Sequence, residues 1–409
     1  MCCQEKSFVV YFSCENKNAS EVFFNMLKIG IVGGRGLSTM RGFLNRPDVC
    51  QVTAICDLDE GVMNRSKEEL GYDIPNKFRI YTDMLESDID AVVIATPMQN
   101  HVQQAIEALH AGKHVMAEVT AGVTMDELWW LKEAVEESGK TYFFAENYCY
   151  IPQNQVIKNM VADGLFGEVY FGEGQYVHNV VSYATYGKGV CGSDTWRRWW
   201  QLGKRGCFYP THSLGPVAQW FKGDHVKSIA CFSSGQHMAK LEGKYRLDDT
   251  TETLCQMESG KLIKIRVDCL SPRPHNMHYY SLQGTKGCYE APRGMGDDHK
   301  VWFATPENPR EGEWEPLSNY YDKYLPERYR NATEEQKKAG HWGGDFFIVD
   351  DFLDAVLTGK QPELDVYSAC EWTAVGLLSE LSVTNGGRVI EVPKFRPGVP
   401  LEEQITKLW

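Results

Sequence analysis

The sequence is short of several things, and each shortage removes a class of function. No apolar run approaches the roughly 20 residues that a spanning helix needs, so no membrane partner is expected. Positive charge is scarce: 42 Lys and Arg against 55 Asp and Glu leave a net charge of −13. That balance argues against nucleic acid or an anionic membrane as partner. The 13 cysteines include no Cys-x-x-Cys pair, so neither a metal site nor a disulfide framework is indicated. Cys56, Cys231, Cys255 and Cys269 sit inside apolar runs and read as core thiols of a cytoplasmic protein. Internal repeats and low-complexity tracts are also missing.

What remains is an ordinary globular composition, 43% hydrophobic and 24% charged. A chain of 409 residues exceeds what one core normally serves, so two domains are expected. Residues 1–25 read as a disordered, non-native extension or an alternative start, with a degenerate signal peptide as the lesser reading. Phe8–Phe12 is apolar but short, and no small-residue cleavage site follows it. The first domain is expected over 26–148 and the second over 149–409.

Leu27–Val32 is a β-type run that ends in Gly33, Gly34, Arg35 and Gly36. A helix follows near Met40–Leu44, then a strand Val52–Asp57. Strand, glycine turn, helix, strand and an acid about 20 residues on form a dinucleotide-binding pattern. Glycines let the backbone approach a pyrophosphate, and the helix N-terminus attracts its charge. Asp57 can accept from both ribose hydroxyls and repels a 2′-phosphate, which favours NAD. Arg35 stands where the usual third glycine would be when counting starts at Gly33. Further strands follow at Phe78–Tyr81, Ile89–Pro97, His114–Glu118 and Thr141–Asn147, alternating with helices. The reading is α/β, a doubly wound parallel sheet of the Rossmann type. Its ligand end gathers Thr96, Pro97, Glu118, Glu146 and Asn147.

The second half contains the most reactive-looking stretch, Arg205–Pro216. Tyr209 and His212 lie three apart at a helix start, where both can face one cavity and move protons near neutral pH. Upstream, Tyr183–Trp200 is rich in Tyr, Trp and Arg. Aromatic planes beside Arg197 suit a sugar, and Trp196, Trp199 and Trp200 equally suit packing. Strands are expected at Val169–His178, Val226–Ser233, Thr251–Met257, Lys261–Cys269 and Arg388–Val392, and Gln283–Glu290 reads as a turn and another strand. Residues 291–340 show no clear period and read as a lid or a subunit contact. His101 is either a cofactor contact or a helix cap, and His178 and His341 are either structural or functional.

Ala95-Thr-Pro-x-x-x-His101, His114-Val-x-x-Glu118 and Glu146-Asn-x-x-Tyr150 resemble the Gfo/Idh/MocA oxidoreductase family. The resemblance implies a C-terminal α/β domain with an open, mostly antiparallel sheet, and a homo-oligomer built on that sheet. Ordinary dehydrogenases of the family carry Glu-Lys-Pro after the fifth strand; here it reads Glu118-Val-Thr120, without the lysine. Glu118-Val-Thr-Ala121, Tyr209-Pro-Thr-His-Ser-Leu-Gly-Pro216, Gln283-Gly-Thr-Lys-Gly287 and Gly340-His-Trp-Gly-Gly-Asp345 resemble the glycoside hydrolase family 109 branch. That branch comprises NAD-dependent α-N-acetylgalactosaminidases and also lacks the lysine.

The resemblance implies a redox-neutral glycosidase acting by C3 oxidation and elimination. The alternative is a net NAD(H)-dependent sugar or cyclitol dehydrogenase. It further implies cofactor contacts from Asp57, Met98, Asn100, His101, Glu118 and Asn147. Tyr176, Tyr209 and His212 are the implied catalytic and sugar-binding residues. A further branch tyrosine falls near 274–280, where His275, Tyr279 or Tyr280 can take its place.

Overall fold

The computed structural model describes residues 26–185, 195–242, 245–273 and 279–400. The 1–25 extension, part of the Trp-rich loop and His275 lie outside the described residues.

Six strands form the first layer: β1 (Leu27–Val32), β2 (Cys50–Cys56), β3 (Asn76–Phe78), β4 (Ala91–Ile94), β5 (His114–Ala117) and β6 (Tyr142–Phe144). All pair in parallel, in the order β3-β2-β1-β4-β5-β6. Helices on both faces explain why β4 is buried at every residue and reads as a continuous apolar run. The order reverses between β1 and β4, which opens a crevice at their C-terminal ends. The third strand is shifted from its expected place. β3 stops at Phe78 because its partner β2 stops at Cys56, and Tyr81 instead opens the helix Tyr81–Glu86.

Nine strands form the second sheet: β7 (Val169–Val177), β8 (Val226–Ser233), β9 (Thr251–Met257), β10 (Leu262–Asp268), β11 (Tyr280–Gly284), β12 (Gly287–Glu290), β13 (Lys300–Phe303), β14 (Trp314–Pro316) and β15 (Ile390–Glu391). Their order is β14-β13-β12-β11-β7-β10-β9-β8-β15. Only β7 and β10 pair in parallel; the other ladders are antiparallel.

The turn and strand expected over Gln283–Glu290 are the second half of a hairpin of β11 and β12, turned at Thr285 and Lys286. Residues 291–340, expected as a lid or contact loop, instead extend this sheet through β13 and β14. Buried Val301, Leu317, Tyr324 and Tyr329 anchor the segment, at spacings too irregular to show as a period in sequence.

Alternation decides which strand residues reach the site. One face of the second sheet carries the helix Thr211–Ala218. It comes close because β7 offers Gly172 and Gly174 there: a Cβ at Gly174 would lie 2.0 Å from the Ser213 carbonyl oxygen. Tyr176, two residues further on, shares that face. The opposite face is open, with Phe232 58% and Leu254 41% exposed.

Two late helices connect the layers. Gly344–Thr358 packs on Leu37–Leu44, the helix after the glycine turn; a Cβ at Gly42 would lie 2.8 Å from Val349. Val366–Thr384 packs on Met125–Ser138 and on β8.

Candidate active site

The glycine turn leads into the crevice. Gly33 has φ 90°, and a Cβ there would lie 2.5 Å from the Ala95 carbonyl oxygen. Only glycine allows both the left-handed backbone and this approach. At Gly36 a Cβ would lie 2.5 Å from Ile31 Cγ2, so the helix starts tight against β1. The Gly34 amide donates to Asp57 Oδ2 at 2.9 Å, and the Asp59 amide donates to Asp57 Oδ1 at 2.9 Å. The acid is thereby locked at the end of β2, beside the turn. Arg35 projects from the turn, and its guanidinium is held more firmly charged than usual, chiefly by the Glu118 carboxylate and further by Asp345.

The opposite wall comes from β4 and β5. Thr96 Oγ1 donates to Gln104 Oε1 at 2.6 Å. Pro97 precedes a 3₁₀ turn over Met98–Asn100, with Met98 buried. His101 lies beneath it: its two ring nitrogens sit 2.8 Å from the carbonyl oxygens of Thr120 and Thr96. Burial pushes its pKa down, and no ring nitrogen is left for a cofactor. The ring so placed lies between the Thr96 and Thr120 loops.

The chemical centre forms where β6 meets the second sheet. Glu146 is 0% exposed. Its Oε1 lies 2.7 Å from His212 Nδ1 and accepts the Tyr148 amide at 3.2 Å. Its Oε2 is buried without a partner. Gly215 makes room for the pair, since a Cβ there would lie 2.9 Å from Glu146 Cγ. Tyr280 donates to the His212 carbonyl oxygen at 2.7 Å and fixes the start of the helix.

Aromatic rings enclose the imidazole. Tyr148 stacks on His212 at 4.0 Å and 9°. Tyr176 and Tyr209 lie 5.1 and 5.2 Å from it, and 5.6 Å from each other. Tyr176 Oη lies 2.8 Å from His178 Nδ1. Burial pushes both the Tyr176 and Tyr209 phenols up, with Arg197 opposing. They therefore stay neutral near pH 7. Arg197 lies over Trp196 at 4.5 Å and Tyr183 at 5.7 Å and donates to Gln201 Oε1 at 2.6 Å. None of Trp196–Trp200 is fully buried: Trp199 is 59% exposed, and Trp196 and Trp200 are half-buried.

A second imidazole–carboxylate pair stands across Tyr148. His341 Nδ1 lies 3.0 Å from Asp345 Oδ1, and the His341 ring is 5.7 Å from that of Tyr148. Asn147 Nδ2 donates to Asp345 Oδ1 at 2.9 Å, while Asn147 Oδ1 is buried without a partner.

The structure thus brings Tyr176, Tyr209 and His212 together and sets Glu118, Asn147 and Arg35 at the adjoining crevice. The sequence placed Glu146 at the ligand end of the sheet, as a catalytic acid or a hydrogen-bond partner of the cofactor. Its partnership with His212, 66 residues away, comes from the packing of two sheets. The supporting roles of Tyr148 and Asp345 left no local signal beyond their motifs. Asp350, Asp351 and Asp354 also approach one another, but Arg46 and Arg328 pair with the first two. A cavity of about 330 Å³ lined by Lys222, His225 and Trp372 is a separate space.

These residues fit a dinucleotide. The glycine cradle admits no Cβ, Asp57 and Glu118 supply hydroxyl acceptors, and the orphaned Asn147 oxygen awaits a donor. Residues 27–146 match the family model "Oxidoreductase family, NAD-binding Rossmann fold". Residues 150–400 match "Glycosyl hydrolase 109, C-terminal domain". A glycosyl hydrolase family 109 protein of Saccharopolyspora erythraea is 31% identical over 403 residues, covering 91% of this chain and 84% of the relative. A Shewanella oneidensis protein named alpha-N-acetylgalactosaminidase is 30% identical over 400 residues, covering 90% and 84%. Levoglucosan dehydrogenase in complex with NADH superposes with a TM-score of 0.72 at 18% identity, covering 90% of this chain and 100% of that one. The myo-inositol 2-dehydrogenase of Lactobacillus plantarum follows with a TM-score of 0.65 at 18% identity, covering 90% and 100%. The chain belongs to glycosyl hydrolase family 109, on the Gfo/Idh/MocA oxidoreductase fold, and is an NAD-dependent enzyme that acts on sugars.

Proposed function

We propose that the enzyme is a redox-neutral glycosidase that cleaves by C3 oxidation and elimination. The observation that carries this reading is the buried Glu146–His212 pair at 2.7 Å, enclosed by Tyr148, Tyr176 and Tyr209. Position 119 holds valine, so no lysine stands beside Glu118 to assist a simple dehydrogenation.

Held by Gly33–Gly36, Asp57, Glu118 and Asn147, NAD⁺ would supply the hydride acceptor and donor for C3. His212, oriented by Glu146, removes the C3 hydroxyl proton as that oxygen becomes a carbonyl. Tyr209 donates a hydrogen bond to the same oxygen and stabilises the charge that gathers there when C2 is deprotonated. Tyr176 accepts the C2 proton while passing its own to His178 Nδ1 along their 2.8 Å contact. The C2–C1 double bond forms as the C1–O bond breaks, and the leaving oxygen takes a proton from His212. Water then adds at C1, and the proton steps reverse. Enclosure by aromatic rings keeps bulk water from the ketone.

Arg197 and Trp196 border the sugar subsite. The open face around Phe232 and Leu254 supports self-association through the second sheet. The described cysteines are free, in keeping with a reducing cytoplasm, and among the described residues no helix is long and apolar enough to cross a membrane.

The test is a panel of chromogenic α- and β-glycosides, N-acetylgalactosaminides included, with aglycone release and NADH absorbance followed together. Release without net NADH is expected. Stoichiometric NADH without release would make the enzyme a net dehydrogenase.

A further inference from the structure

We propose that His341, seated on Asp345, is a cofactor-binding residue that reaches the NAD crevice from the C-terminal half of the chain and donates from Nε2 to the dinucleotide's phosphate–ribose segment. The proposal rests on the NAD assignment and is independent of the glycosidase mechanism.

The first observation is the backbone. His341 and Trp342 both adopt positive φ, 54° and 59°, and Gly343 follows at 87°. Two consecutive non-glycine residues in the left-handed region are unfavourable, and such strain persists where the surroundings over-determine it. Its effect is to turn His341 back over the start of the helix Gly344–Thr358, beside Asn147 and Tyr148.

The second observation is which ring nitrogen is used. Nδ1 lies 3.0 and 3.1 Å from the two oxygens of Asp345. Asp345 is 1% exposed and also accepts from Asn147 Nδ2 at 2.9 Å. Asn147 Nδ2 also lies 3.0 Å from Nδ1, so Nδ1 is taken up by Asp345 and Asn147. Nε2 has no hydrogen-bond partner among the described residues, and the side chain is 23% exposed.

The third observation is what surrounds the ring. Five groups face it: Asp345 from its own helix, Arg35 from the glycine turn, Glu118 from the end of β5, and Asn147 and Tyr148 after β6. Arg35, Glu118 and Asn147 border the crevice already built for the cofactor. Asn147 is 5% exposed with an unpartnered Oδ1, so the spot lacks a ligand donor rather than a protein one. The supporting helix packs against Leu37–Leu44, whose N-terminus the glycine turn presents.

Asp345 raises the His341 pKa against the opposing effects of burial and Arg35. Asp345 thus favours the protonated ring, which together with Arg35 suits an anionic diphosphate. A dinucleotide gripped this way contacts both halves of the chain.

The experiment is NAD⁺ binding by titration calorimetry on the full chain between pH 6 and 9, without sugar. Wild-type affinity is expected to fall as pH rises through the His341 pKa. His341→Gln is expected to weaken binding at least tenfold at pH 6.5 and to flatten the pH dependence. Asp345→Asn is expected to move the fall to lower pH. If His341→Gln does not fold, His341→Asn, which tolerates the left-handed backbone, replaces it with the same expectation. Unchanged affinity and an unchanged pH profile in a folded His341 variant would overturn the proposal. Loss of glycoside cleavage with this pH response intact would count against the glycosidase reading alone.

Discussion

The two imidazole–carboxylate pairs on either side of Tyr148 are built in opposite ways. His212 sits on a regular helix and is 7% exposed over a fully buried Glu146. Its ring is stacked at 4.0 Å, and its carbonyl is held by Tyr280. His341 sits on a left-handed turn, is partly exposed, and keeps one nitrogen open. The first pair is rigid and dry, which suits proton transfer within an enclosed substrate. The second is strained and open, which suits a charged ligand that enters and stays. The same two residue types serve different chemistry because the backbone and the burial differ.

Removing the first pair has the largest expected consequence. His212→Ala is expected to lower kcat by about 10³-fold, within the range for a lost general base, while NAD⁺ affinity measured by titration is retained. An equal loss of both would erase the distinction between the pairs. Glu146→Gln keeps the shape but removes the charge that orients the imidazole. A fall in kcat of about 10²-fold is expected, with little change in KM.

The second pair is expected to show itself in stability against pH. The His341 pKa is raised and the Asp345 pKa is lowered. The stability from His341 is fully present below the ordinary His value of about 6.5 and is lost as pH rises through the raised value. That from Asp345 is present above the ordinary carboxylate value of about 3.9 and is lost as pH falls through the lowered value. Thermal melts of wild type and His341→Gln are expected to differ most between those limits and to converge at high pH. A constant difference across the range would mean that the ion pair contributes nothing.

The smallest effect is expected from Tyr280→Phe. It removes one buried hydrogen bond to the His212 carbonyl, worth about 1 kcal/mol. A few degrees in Tm and a few-fold loss in kcat are expected. A loss as large as that of His212→Ala would place Tyr280 at the substrate.

Legibility in sequence followed how local each feature is. β1, β8 and β9 were readable to the residue because apolar patterning and flanking turns specify them. β3 was misplaced because its end is set by the length of β2, not by its own residues. The 291–340 segment hid two strands at the sheet edge, where short pairing leaves little pattern. In the site, Tyr209 and His212 were visible as one motif. Glu146 could be placed on a strand end but not against His212, since that contact depends on Gly215 and Gly174 allowing a helix close to a sheet. His101 reads in sequence as a cofactor contact or a helix cap, and only the fold reveals two carbonyls facing its ring.

The central claim is that a proton leaves sugar C2 during cleavage while NAD is returned unchanged. The most direct measurement is hydrolysis of a cleaved α-glycoside in D₂O, with NMR of the released sugar and a cofactor assay on the same sample. Deuterium at C2 with no net NADH is predicted. Full retention of protium at C2 during cleavage would contradict the account.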